Sequence, residues 1–151
     1  MDARFVNPFI AALSNVLPQL GFKTIVRGKL FSRDQFIDSQ GVIINVQLTN
    51  QVSGNIAFTM SEESARRLSS VMMMGMPVSS LDPIAQSALC EMVNMVTANA
   101  ANSLTKVGVT VGLVPPALSQ NTAKLKLCNS NFIGIEMLID ELPLEIGIGL
   151  N

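Results

Sequence analysis

The sequence contains no histidine, no tryptophan and no tyrosine. Without histidine the chain cannot build a His-ligated metal site or a Ser-His or Cys-His catalytic pair. The usual general base near neutral pH is missing as well. Seven Phe are the only aromatics, which leaves little for stacking nucleic-acid bases. Two cysteines, Cys90 and Cys128, form no CxxC motif and read as buried thiols. Charged residues make up 14% of the chain, against about a quarter in soluble domains, and the formal net charge is −1. That balance gives no overall pull toward nucleic acid or an anionic membrane, so neither is expected as a partner. No segment approaches the roughly 18 uninterrupted apolar residues that span a bilayer. The longest candidate, 71–78, contains Gly75 and Pro77. The opening MDARFVNPFIAALSNVL carries an acid, a base and Pro8 and offers no clean cleavage site, so it does not read as a secretory leader. The cytoplasm is the expected compartment.

What is present is apolar. Hydrophobic residues make up 48% of 151 positions, enough for one domain, 1–151, with a core that needs neither disulfide nor metal. A mean hydropathy of +0.41 without a spanning segment points to a large core or to apolar surface covered in an oligomer. Asn7-Pro8 predicts a helix start, with the helix running to about Leu17. Residues 23–31 read as a strand and 32–41 as a polar turn. Segments 42–48 and 54–60 read as an antiparallel hairpin. Ser61-Glu62-Glu63 opens a second helix, with acids where the helix dipole favours them. Asp82-Pro83 opens a long third helix reaching about Lys106, with Gly108 just beyond. A strand at 109–114 precedes the break at Pro115-Pro116. Segments 123–127 and 133–139 read as a hairpin turning at 129–131, and 144–150 as a last strand. Helices followed by groups of strands, twice over, predict an α+β fold. Its mostly antiparallel sheet has helices packed on one face, built from two pseudo-duplicated helix-plus-three-strands halves.

The third helix carries the chemistry. Ile84, Ala88, Met92, Met95, Val96 and Leu104 can supply a buried face. Ser87, Glu91, Asn94, Ala98 and Ala101 follow one another at steps of four, three, four and three, which keeps them on one helix face. A flat face of small residues with Glu and Asn projecting lets another protein come close. On spacing alone such a face is more often merely solvated.

Ser87-x-x-x-Glu91-x-x-Asn94 resembles the [Asp/Ser]-x3-Glu-x2-Asn signature of the CheC/CheX/FliY chemotaxis phosphatases. The opening FVNPFIAALSNVL, 5–17, is similar to the start of CheX-like members, and the order of elements fits that family over the whole chain. The resemblance implies a protein phosphatase that hydrolyses the aspartyl phosphate of a CheY-like response regulator. It implies that Glu91 pairs with the regulator's active-site lysine and that Asn94 orients the attacking water. Ser87 and Ala98 are then partner-binding positions. The chain would need no cofactor of its own, because the regulator holds the Mg²⁺. A homodimer with sheets joined across the subunits is also implied, and the apolar tail LEIGIGL is the expected joining edge. The alternative is a non-catalytic dimeric module that binds a regulator or a flagellar-switch partner through the same helix.

Aligning Asn15 with Asn94 sets Ala12 opposite Glu91 and Pro8 opposite Ser87, which predicts one active site per chain. Met72, Met73, Met74 and Met76 are expected to pack at a helix end, with at least one partly exposed because consecutive residues cannot all face one way, and with a partner contact as the alternative. Arg66 and Arg67 follow Glu62 and Glu63 at i,i+4 spacing, ordinary helix support. Asp140-Glu141 reads as a solvated turn.

Overall fold

Local sequence chemistry sets both ends of the helices. In the computed structural model, which describes residues 3–151, α2 (Glu62–Met72) begins at Ser61, whose hydroxyl accepts from the Ser64 N–H at 3.1 Å. The third helix, α3 (Pro83–Lys106), begins at Asp82, whose carboxylate accepts from the Ala85 N–H at 2.8 Å. The first helix, α1 (Ala3–Val16), departs from expectation: it already runs through Ala3, and Pro8 lies inside it. Val6, Phe9, Leu13 and Val16 are all buried, so apolar periodicity carries the helix upstream of the cap-like Asn7-Pro8. Met1 and Asp2, which entered the reading of the leader, lie outside the described residues. No described helix is long and apolar enough to cross a membrane.

All three helical segments end alike. The Gly108 N–H bonds the Thr105 carbonyl and Val109 the Leu104 carbonyl. After a 3-10 turn at Leu17–Leu20, Gly21 bonds Pro18 and Phe22 bonds Leu17. At the end of α2, Met74 bonds Val71 and Gly75 bonds Ser70. Each is the pair of reversed bonds that closes a helix through one left-handed residue. Gly21 and Gly108 fill that position at φ 102° and 88°, but at α2 it is Met74, at φ 59°. Met74 is 96% exposed and Met76 60%, so the expected packing of the Met cluster holds only for Met72 and Met73, which are half-buried.

Seven strands follow: β1 (Ile25–Asp38), β2 (Val42–Asn50), β3 (Gly54–Met60), β4 (Val111–Leu113), β5 (Ala117–Ser119), β6 (Lys124–Ile139) and β7 (Leu142–Leu150). They form one antiparallel sheet in the order β1-β6-β7-β3-β2-β4, with β5 also on β2. The expected β2–β3 hairpin is present, Val42 opposite Met60. The two halves of the chain meet where β3 pairs β7.

Three expectations about the strands are corrected. The segment 32–41 is not a turn, because β1 continues to Asp38. No hairpin turn ends the strand at 129–131 either: β6 runs through it with Asn131 opposite Asp34 of β1, and the irregularity there is a shift in the β1–β6 register between Asp34 and Phe36. Both stretches are polar because they face solvent in the strand pair at the sheet's end. Lastly, the tail 144–150 is not an edge. It lies between β6 and β3 and is almost wholly buried. The long open edge is β1, whose only strand partner among the described residues is β6.

Side-chain alternation splits the core in two. Val42, Ile44, Val46 and Leu48 of β2 join Ile56, Phe58 and Met60 of β3 on the face covered by the helices. On the opposite face Ile43 and Ala57 meet Ile37, Leu127, Cys128 and Phe132. The outer halves of β1 and β6 therefore fold over the back of the sheet. The glycines of LEIGIGL admit them: a Cβ on Gly147 would stand 2.7 Å from Leu127 Cδ1, and one on Gly149 the same distance from Leu127 Cβ.

Candidate functional site

The long helix α3 stands against α1 and α2 on the helical side of the sheet and buries Ala85, Leu89, Met92, Val93, Val96, Thr97, Ala100, Ala101 and Leu104. The small residues among these let the helices approach closely. Ala101, expected on the outward stripe, belongs to this buried set. Ile84, expected in the core, is 66% exposed.

The outward face carries Ser87, Glu91 and Asn94, all exposed, with Ala98 half-buried. Glu91 and Asn94 are three residues apart, so their Cβ atoms stand roughly 5–6 Å apart on adjacent turns. Among the described residues no hydrogen bond or ion pair holds either side chain. Asn99, by contrast, is engaged: its Oδ1 accepts from Asn15 Nδ2 at 3.4 Å, tying α3 to α1. Thr97 is buried, and its hydroxyl donates back to the Val93 and Asn94 carbonyls at 3.0 and 3.2 Å, which satisfies it without touching the outward face. The stripe is thus supported from beneath and free on top.

The expected alignment of the halves is corrected by the helix ends. Gly108 follows Gly21 by 87 positions, and Val109 follows Phe22 by the same 87, each with the same carbonyl partners. In that register Asn7, not Asn15, is the counterpart of Asn94, and Arg4, not Ala12, is the counterpart of Glu91. Burial agrees: Val6, Phe9, Leu13 and Leu17 fall on Val93, Val96, Ala100 and Leu104, all buried. The repeated Val-Asn dipeptide, 6–7 and 93–94, was the sequence signal for this register. The first half therefore keeps the amide and replaces the acid with a base.

Other candidates resolve simply. Cys90 and Cys128 are free, Cys90 being half-buried rather than buried. Burial pushes the Cys90 thiol up from its ordinary value. Asp140 is not merely solvated: its carboxylate accepts from the Lys23 and Thr24 N–H groups at 2.7 and 2.9 Å and anchors the approach to β1. Among the described residues no group of three or more acids and cysteines is placed to hold a metal ion.

An acid and an amide one turn apart on an open helix face, backed by an antiparallel sheet, form a surface that suits a macromolecular partner better than an enclosed small molecule. The family described as chemotaxis phosphatase CheX matches residues 42–137, and the chain belongs to that family. A relative, the CheY-P phosphatase CheX of Thermotoga maritima, is 28% identical over 118 residues, covering 78% of this chain and 76% of its own. Among solved structures, a chemotaxis protein CheX from Desulfovibrio desulfuricans matches with a TM-score of 0.84 at 19% identity, over 97% of this chain and 99% of that one. The CheX–CheY–BeF3–Mg²⁺ complex of Borrelia burgdorferi matches with a TM-score of 0.78 at 22% identity, over 97% of each chain.

Proposed function

We propose that this chain is a phosphatase that removes the aspartyl phosphate of a CheY-like response regulator in the cytoplasm. The observation that carries the reading is the unengaged Glu91–Asn94 pair on the exposed face of α3, in a chain of the CheX family. The name of the Thermotoga relative supports the activity, and the Borrelia complex supports the choice of partner.

The chemistry needs little from this chain. An acyl phosphate is already activated, and phosphoryl transfer depends mainly on positioning and charge stabilisation. Asn94 accepts a hydrogen bond from water through Oδ1 and donates one through Nδ2, which holds the water in line with phosphorus. The water oxygen bonds to phosphorus as the acyl P–O bond breaks. The electron pair leaves on the regulator's aspartate, and the water's proton passes to solvent. Glu91 pairs with the regulator's lysine and fixes the approach. Ser87 and Ala98 flank the pair as contact positions small enough for a close fit. The regulator supplies Mg²⁺, which neutralises charge on the phosphoryl oxygens. No histidine is required. One such site per chain is proposed, since Arg4 stands in the first half where Glu91 stands in the second.

The proposal extends to a homodimer joined through β1. Among the described residues that strand leaves its outer edge, over 14 residues, unpaired, with Val26 52%, Leu30 46% and Phe36 42% exposed along it.

The test is Asn94→Ala. The variant should lose at least about 100-fold in hydrolysis, the scale of a misplaced nucleophile, while its melting temperature stays within about 2 °C of wild type, as for an exposed site. A fully active Asn94→Ala variant would remove the residue from the mechanism.

A further inference from the structure

Ile84 is exposed on α3 with no role in the core. It lies seven residues, and about 10 Å along the helix, from Glu91 on the same face. A single exposed apolar residue needs no explanation, but the company of Ile84 is unusual. The exposed residues of that face from 84 to 98 are Ile84, Ser87, Glu91 and Asn94, with Ala88 and Ala98 half-buried beside them. Glu91 is the only charged side chain among them, whereas a solvated helix face normally interleaves charges of both signs. Such a face matches a partner that presents one cation within an apolar rim.

We propose that Ile84 is an apolar anchor for the phosphorylated regulator. It would seat against the rim of the regulator's active site and set affinity rather than chemistry. The inference rests on the phosphatase reading, because the lysine that Glu91 would meet fixes where the partner sits. Continuity of one helix face then brings that partner over Ile84. Ile84 reaches no reacting atom, so its loss should act on KM and leave kcat in place. It is thus a binding residue, separate from Asn94.

The experiment measures phosphate release from a phosphorylated CheY-like regulator with Mg²⁺ over a range of regulator concentrations. Wild type, Ile84→Asp, Ile84→Leu and Asn94→Ala are compared. The expected result is a KM raised about tenfold in Ile84→Asp with kcat within about twofold, a shift of the size expected when one aliphatic contact is lost. Ile84→Leu should restore the wild-type KM. Asn94→Ala should lose kcat instead. An unchanged KM in Ile84→Asp, with wild type active and Asn94→Ala inactive, overturns the anchor and leaves the phosphatase reading intact. A lower kcat at unchanged KM also overturns it. An inactive wild type overturns both. Ile84 is exposed, so these variants should fold, and unchanged thermal unfolding checks that they do.

Discussion

Asn94 and Asn99 differ by little more than one turn of α3, yet their environments separate them. Asn99 spends its amide on α1, whereas Asn94 has no side-chain partner among the described residues. Sequence spacing could group the stripe but could not tell an amide that packs from one that waits. Glu145 shows the same limit. It is 8% exposed on the back of the sheet, opposite Glu136 on β6. Burial raises its carboxyl pKa above the ordinary value. Arg33, 3.6 Å away, lowers it, and Glu136 and Asp38 raise it again. The net direction is upward, so the folded state binds the proton more tightly than the unfolded chain does. Glu145 thus supports the fold most below its unfolded value, and that support is lost as pH rises through the raised folded value. Glu145→Gln should stabilise the protein at neutral pH by about 0.5–1 kcal/mol. The gain should shrink toward about pH 4. Urea unfolding across that range checks it, and a gain that grows on acidification would reverse the assignment.

At the scale of elements, the starts of α2 and α3 were legible because capping is local, whereas the cap-like Asn7-Pro8 misplaced the start of α1. Ser61 and Asp82 each declare a start within three residues. The continuous β6 was not legible, because Asn129, Ser130 and Asn131 have turn-like composition and what holds them is long-range: Asn131 pairs with Asp34 of β1, and Asn129 accepts from Gln35 Nε2 through its carbonyl and donates its N–H to Asn151 Oδ1. The same pairing explains the glycines of β7, which sequence alone presented as an exposed alternating tail. The back-face cluster lies directly on them. Above Gly147 the nearest atoms are the flexible tips Leu127 Cδ1 and Ile37 Cδ1, at 2.7 and 2.9 Å from a built Cβ. Above Gly149 they are Leu127 Cβ and Cys128 Cβ, at 2.7 and 3.0 Å, held to the β6 backbone. Gly149→Ala should therefore cost about 1–3 kcal/mol, as overpacking does, and Gly147→Ala less. Denaturant unfolding gives the order directly, and equal or inverted costs would mean that β6 does not press on β7 in this way.

For the whole molecule, the fold class was readable from the order of helices and strands, but the position of the open edge was not. A tail of alternating apolar residues resembles an edge strand whether it ends a sheet or completes its middle. Here β7 joins the two halves, and the strand left over is β1. At the other end of the sheet the short β4 and β5 blunt the edge. Arg27, Lys29 and Arg33 on β1 guard against indiscriminate pairing, while Val26, Leu30 and Phe36 offer apolar contact to a matching strand. Light scattering at micromolar concentration should give a dimer mass for wild type and a monomer mass for Leu30→Lys combined with Phe36→Lys. A wild-type monomer, or a variant that stays dimeric, would place the contact elsewhere or remove it.

The proposed chemistry turns on Asn94, and the most direct measurement of it is the decay of phosphate from a purified, phosphorylated CheY-like regulator with Mg²⁺. Decay is followed alone, with this protein, and with Asn94→Ala. Decay should be faster with wild type, and the rate with the variant should match that of the regulator alone. Equal acceleration by both proteins, or none by wild type across the CheY-like regulators of its own cell, would contradict it.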